Sequence, residues 1–212
     1  MGAGPLTKEE LLESMRGRIK ERVIEAMKKV PRELFVPETL QQRAYDDIPL
    51  PIGFGQTISA PHMVAIMCDI LDLKKGMSVL DVGSGSGYHA AVMAELIGPG
   101  GHIYSVERVP ELAARARESL KRAGIGNVTV VEGDGSLGLP DHAPYDRINV
   151  AATAPSAPDP LKQQLKPGGK MVVPVGLGFQ ELILVTRDNG FTTEELMGVA
   201  FVPLVGEHGF KE

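Results

Sequence analysis

Three clusters of residues in this 212-residue chain have types and spacing suited to chemistry on a nucleoside-bearing ligand. The first is Val79-Leu80-Asp81-Val82-Gly83-Ser84-Gly85-Ser86-Gly87-Tyr88, an apolar run that opens into alternating glycines. Glycine at such a strand-to-helix turn lets a ligand approach the backbone. The pattern is G-x-G-x-G, with Tyr88 where a dinucleotide fingerprint asks for its third glycine. The second is Glu107, followed by Arg108, at the end of the next apolar run. It lies 20 residues after Gly87, and an acidic side chain there can accept hydrogen bonds from both hydroxyls of a ribose. The third is Gly133-Asp134-Gly135, which places a carboxylate between glycines where it could accept from an adenine amino group. Singly, these are a tight turn, a solvated strand end and an ordinary loop. Together, at the ends of three consecutive strands, they point to an adenosine-containing ligand.

The elements that must position them follow from periodicity. Ser78 to Val82, His102 to Val106, Val128 to Val131, Arg147 to Ala151 and Lys170 to Val175 read as buried strands. Tyr88 to Ile97 reads as a helix, as does Pro110 to Ala123, which opens with proline and stops at Gly124. Strand and helix in alternation predict a doubly wound α/β fold, a mostly parallel sheet with helices on both faces. Upstream, Ile19, Val23, Met27 and Val30 draw one apolar stripe on a helix ended by Pro31. Pro37 to Gly55, rich in proline and glycine, is expected to be irregular. Downstream, Glu181 to Arg187, a turn at Asp188-Asn189-Gly190, and Glu195 to Leu204 predict an antiparallel hairpin at the sheet edge. The expected organisation is one domain over 1–212: an N-terminal helical and substrate-loop region at 1–60, a cofactor-binding core at 61–176, and antiparallel strands at 177–212.

Composition narrows the partners. The chain has 22 Lys and Arg against 27 Asp and Glu, a formal charge of −5, which gives no general attraction to a phosphate backbone. Basic residues Arg16, Arg18, Lys20 and Arg22 alternate with acids and read as a solvated helix face. The single cysteine, Cys68, lies in an apolar stretch, and reads as a buried thiol in a reducing cytoplasm. The N-terminal residues lack the apolar centre of a signal peptide, and no run reaches membrane-spanning length. No nucleic acid, membrane or metal is expected, and the protein is expected to act as a monomer.

The segment Pro51-Ile52-Gly53-Phe54-Gly55-Gln56-Thr57-Ile58-Ser59-Ala60-Pro61-His62-Met63 concentrates small and hydroxyl-bearing residues for no compositional reason. Asp81, Glu107, Asp134 and Leu165-Lys166-Pro167-Gly168-Gly169 together resemble class I S-adenosylmethionine-dependent methyltransferases, with their Rossmann-like sheet. Within these, Gly55, Thr57, Ile58, Ser59, Pro61 and His62 resemble the signature of the protein-L-isoaspartate (D-aspartate) O-methyltransferase family. The likeness extends from Pro31-Arg32-Glu33-Leu34-Phe35-Val36 to Phe201-Val202-Pro203-Leu204. It implies methyl transfer from S-adenosyl-L-methionine, leaving S-adenosyl-L-homocysteine, to the α-carboxylate of L-isoaspartyl residues in damaged proteins and peptides. The ester then closes to a succinimide, a route back toward normal aspartate.

By this resemblance Ser59 is the active-site residue, with Thr57, Ile58 and His62 shaping the substrate pocket. Asp81, Gly83, Ser84, Gly85, Gly87, Glu107, Arg108, Gly133, Asp134 and Gly135 form the cofactor site. A carboxylate acceptor of pKa about 3.3–3.7 is already anionic at neutral pH, so no general base is required. Ser59 has a second use open to it, capping a helix that starts near Pro61, and His62 has one as a half-exposed residue of the first helical turn. Competing readings are a class I methyltransferase acting on RNA or a small molecule, a non-catalytic adenosine-ligand sensor, and a dehydrogenase.

Overall fold

The computed structural model describes residues 4–211. Helices α1 (Lys8–Met15) and α2 (Glu21–Lys29) come first, then a hairpin of β1 (Leu50–Gly53) and β2 (Gln56–Ile58), then α3 (Pro61–Leu71). The main sheet follows as β3 (Ser78–Val82), α4 (Tyr88–Ile97), β4 (His102–Glu107), α5 (Pro110–Arg122), β5 (Val128–Glu132) and β6 (Tyr145–Val150). It ends with α6 (Asp159–Gln163), β7 (Leu165–Val175), β8 (Gln180–Arg187) and β9 (Phe191–Val199).

The seven strands lie in the order β5-β4-β3-β6-β7-β8-β9. Pairings from β5 across to β7 are parallel, and β8 and β9 are added antiparallel. The expected architecture is therefore present. After β3 the chain builds outward through β4 and β5, then returns to lay β6 on the other side of β3. That reversal is the topological switch point at which such sheets bind ligands.

Alternation along each strand divides the core into two layers. Val79, Ile103, Val130 and Val172 pack with side chains of α1 to α5, whereas Leu80, Val82, Ile148, Val150, Met171 and Val173 face the other way. The second layer is covered more thinly, by Leu161 of α6, Tyr145 and Leu204. Burying each such aliphatic side chain contributes about 1.5–3 kcal/mol before chain entropy is set against it. Cys68 is fully buried in the first layer, and burial pushes its thiol up, so it is a protonated core residue.

Several boundaries differ from the sequence expectation. The apolar stripe at Ile19 to Val30 is not one helix: Ile19 sits outside α2, and α1 precedes it, closed by a capping box between Thr7 and Glu10. Part of the segment expected to be irregular forms β1 and a 3₁₀ turn at Glu38–Arg43. The second strand of the terminal hairpin begins at Phe191 directly after the turn and ends at Val199. Residues 200–204 leave that hairpin; Thr153 donates to the Val202 carbonyl and Leu204 to the Thr153 carbonyl, at 2.9 and 2.7 Å. Their apolar character reflects packing over the sheet's carboxyl edge, with Leu204 buried.

Candidate active site

The turn between β3 and α4 needs glycine at three positions. Gly83, Gly85 and Gly87 have φ of +88°, +51° and +86°. At Gly85 an added Cβ would meet Ile52 at 3.3 Å, and at Gly87 it would meet Ala116 at 3.3 Å. The loop is thus pressed between the β1–β2 hairpin and α5. Glu107 fixes it from the side: one carboxylate oxygen accepts from the Gly85 N–H at 2.8 Å and the other from the Val109 N–H at 3.0 Å. Each oxygen keeps lone-pair capacity for a further donor.

Beneath the loop runs a buried polar chain. Ser84 and Ser105 share a hydroxyl–hydroxyl bond, Ser105 donates to Asp81 at 2.6 Å, and Asn149 donates to the other Asp81 oxygen at 2.8 Å. Burial raises the Asp81 carboxyl to about 6, although both of those bonds oppose the shift. Next to Asn149, burial lowers the His89 imidazole to about 3 and keeps it neutral, and its Nε2 has no hydrogen-bond partner.

A cleft lies over the carboxyl ends of β3, β4 and β6. Of the residues expected to hold a cofactor, Gly83, Ser84, Gly85, Glu107, Arg108 and Gly135 line it. Gly87 stands just behind, as the left-handed residue that starts α4. Three further expected contacts also lie outside the lining. Asp81 is fully buried under the loop. Gly133 donates its N–H to the Glu107 carbonyl at 3.0 Å. Asp134 accepts from the N–H and hydroxyl of Ser136 at 2.8 and 2.7 Å and from the N–H of Glu207 at 2.7 Å. Burial would raise the Asp134 carboxyl, but these hydrogen bonds outweigh it and hold the group below its usual range. In this arrangement Asp134 fastens the C-terminal segment to the sheet edge.

Thr57, Ile58 and Ser59 form the cleft's opposite wall. A second groove, of about 1030 Å³, opens on the far side of that wall between His62, Met63, Phe179 and residues 198–202. Thr57, Ser59, Ala151 and Val202 line both spaces. Ser59 therefore stands where the cavities meet. Its hydroxyl does not cap α3: Ala60 holds the N-cap position with no side-chain bond, and Pro61 begins the helix. His62 faces the groove and is tied to Asp47, whose carboxylate oxygen lies 2.9 Å from both the His62 N–H and Nδ1.

Sequence reasoning passed over several residues of this site. Ala151, at the end of β6, and Val202-Pro203-Leu204-Val205 wall the cleft. The position of Ala151 at the switch point was readable from strand order, whereas the return of 202–205 depends on tertiary packing. Arg32 was also missed: it is fully buried and donates from Nη2 to the Ser59 carbonyl at 2.8 Å and from Nε to the Ala44 carbonyl at 2.7 Å.

A parallel sheet reversing at its glycine loop, with an acidic residue closing the adjacent strand, has the architecture of a class I methyltransferase. The model of the protein-L-isoaspartate(D-aspartate) O-methyltransferase family matches residues 6–209. A protein-L-isoaspartate O-methyltransferase of Methanothrix thermoacetophila is 62% identical over 98% of this chain and 99% of its own length. One from Methanococcoides burtonii is 60% identical over 90% of this chain and 95% of its own. Among solved structures, a Plasmodium falciparum protein-L-isoaspartate O-methyltransferase in complex with S-adenosyl-L-homocysteine superposes with a TM-score of 0.85. It is 30% identical over 94% of this chain and 99% of that one. The chain belongs to the protein-L-isoaspartate(D-aspartate) O-methyltransferase family.

Proposed function

We propose that this chain holds an L-isoaspartyl α-carboxylate at Ser59 and aligns it for methylation by S-adenosylmethionine, in the repair reaction of its family. The observation that carries this reading is the position of Ser59 in the wall shared by the cleft and the groove. Acceptor and methyl donor can meet there without either crossing the protein interior.

The cleft fits the cofactor. Its three glycines leave the loop backbone open to a ligand, and the Glu107 oxygens, each already held by one N–H, retain capacity for ribose hydroxyls. The buried, unpartnered Nε2 of His89 in the cleft wall adds a polar atom suited to a ligand contact. S-adenosylmethionine supplies, when bound, an electrophilic methyl group on a sulfonium centre. Gly83, Ser84, Gly85, Arg108 and Gly135 would surround it, while Asp81, Gly87, Gly133 and Asp134 act from behind by fixing the loops.

The acceptor is anionic at neutral pH, so Ser59 has no proton to remove. Its hydroxyl donates a hydrogen bond that orients the carboxylate, with Thr57 and His62 shaping the groove around the peptide. Ile58, Val64, Val82, Val202 and Leu204 give the cleft an apolar surface, which excludes water and favours an in-line approach of the attacking oxygen. The methyl ester formed on the isoaspartyl residue then closes to a succinimide, the step that opens the way to normal aspartate.

The three segments 1–60, 61–176 and 177–212 act as one methyltransferase domain, a reading supported by one apolar cluster that runs from Leu11 through the sheet to Leu182. The charge of −5 argues against nucleic acid, and the buried Cys68 suits a cytoplasmic protein. No helix among the described residues is long and apolar enough to cross a membrane. Ser59→Ala tests the central role. Turnover of an isoaspartyl peptide is expected to fall at least tenfold with S-adenosylhomocysteine affinity within about twofold of wild type, a loss of about 1.4 kcal/mol or more, as for one hydrogen bond to a charged group. Unchanged turnover removes Ser59 from the mechanism.

A further inference from the structure

Arg32 is among the largest fully buried side chains of the described residues, and it is a cation. Guanidinium groups in such places are ordinarily paired with a carboxylate, because an uncompensated buried charge is costly. Arg32 makes no ion pair among the described residues. Its Nε and Nη2 donate to the carbonyls of Ala44 and Ser59, its Cζ lies 4.7 Å from the centre of the Tyr88 ring, and Nη1 has no hydrogen-bond partner. Glu33, the neighbouring acid, accepts instead from the Tyr45 hydroxyl. Both of the other groups Arg32 touches near the site, Ser59 and Tyr88, line the cofactor cleft.

A guanidinium with no direct ion pair thus stands directly behind the residue that meets the acceptor; Asp47, the carboxylate whose charge also acts on it, does so through space while its oxygen is held by His62. Tying two loops together through the Ala44 and Ser59 carbonyls does not by itself require that the charge lack a direct carboxylate partner. The bound anion that matches this charge is the substrate carboxylate itself, which no lysine or arginine of the groove lining meets from the solvent side. We propose that Arg32 is a positioning residue for the acceptor: its unpaired guanidinium fixes the Ser59 carbonyl and sets a positive potential at Ser59 that selects a carboxylate over a neutral group. This rests on the placement of the acceptor at Ser59. It explains how a pocket with no charged side chain touching the acceptor can discriminate a carboxylate from the amides that surround it in a polypeptide.

The test measures binding rather than turnover, with S-adenosylhomocysteine present so that no reaction occurs. Two peptides are compared that differ only in carrying a free α-carboxylate or an α-carboxamide at the isoaspartyl position. Wild-type protein is expected to prefer the acid by about 30-fold, as for charges about 8 Å apart at an effective dielectric of about 20. Arg32→Met is expected to reduce that preference to within about threefold, and Arg32→Lys to restore most of it. A merely structural role would weaken both peptides together and leave their ratio alone. Affinity for S-adenosylhomocysteine reports whether the cleft is folded, and Arg32→Gln, which keeps amide donors toward Ser59 without the charge, gives the same reading where Met is not tolerated. A wild-type preference near unity, or a preference retained in the Met and Gln variants, overturns the proposal. Ser59→Ala measured alongside separates the two claims: normal turnover in that variant fails the Ser59 reading, while the acid-to-amide ratio in the Arg32 variants decides the Arg32 assignment.

Discussion

The two sides of the Ser59 wall are built differently. On the cofactor side the main polar groups are anchored in the sheet: Glu107 takes two backbone N–H groups, and Asp81, Ser84, Ser105 and Asn149 form one buried chain under the glycine loop. On the acceptor side the walls come from an exposed hairpin, the start of α3 and the end of β9, and Phe179 leaves 74% of its surface in solvent. One side serves a single small molecule and is fixed by strand register. The other must admit a damaged residue in many sequence contexts, so it is open, apolar and mostly neutral. The halves touch through α5, where Arg115 donates to the Ile52 carbonyl at 3.1 Å and stacks 5.5 Å from the Phe54 ring, holding the β1–β2 hairpin over the loop.

Disrupting the rigid side gives the largest expected effect. Glu107→Ala frees the Gly85 and Val109 N–H groups together and removes the ribose acceptor. S-adenosylhomocysteine affinity measured by calorimetry is expected to fall about 100-fold, about 2.7 kcal/mol. A loss below fivefold would show that the loop holds its shape without Glu107. Next comes Gly87→Ala, which forces a left-handed conformation on a residue with a Cβ and brings that Cβ to 3.3 Å from Ala116. Unfolding in urea is expected to show a loss of about 1–2 kcal/mol. No loss would mean that the turn has relaxed.

On the open side the effects are smaller and of a different kind. Phe179→Ser removes an exposed ring from the groove, and KM for an isoaspartyl peptide is expected to rise about threefold with kcat and cofactor affinity unchanged. A matching loss in cofactor affinity would mean that the two sides are not separable. Back on the cofactor side, the remaining effect is a pH term. Because burial raises Asp81 to about 6 in the folded protein against about 3.9 unfolded, the folded state binds its proton more tightly. The stability contributed by protonated Asp81 is present in full below pH 4 and is lost as pH rises through 6. Between those values Asp81→Asn is expected to lack part of the wild-type decline in unfolding free energy. Identical profiles would show that the carboxyl titrates normally.

Much of the rigid side was legible in the sequence because its signals are local. The bounds of β3 and α4, and the proline that opens α5, follow from apolar runs and from Gly87 and Pro110. The family signature placed Thr57, Ile58 and Ser59 together, and the structure puts them in one wall. What was not legible depends on distant contacts. Residues 200–204 read as a continuing strand because they are apolar, yet their partner is Thr153. Asp134 read as a base contact, and no sign in the sequence showed that one of its oxygens accepts from the N–H of Glu207, 73 residues away. Arg32 lies in the family-like stretch Pro31 to Val36, but its significance shows only once Ser59 is folded against it. The Thr7 to Glu10 capping box, by contrast, was present in the sequence as a local sign of α1.

The most direct test of the account is methyl transfer from labelled S-adenosylmethionine to two synthetic peptides, one carrying L-isoaspartate and the other normal aspartate at the same position. The expected result is base-labile methyl ester on the isoaspartyl peptide alone. Equal labelling of both peptides, or of neither, would contradict a groove built to present an isoaspartyl α-carboxylate at Ser59.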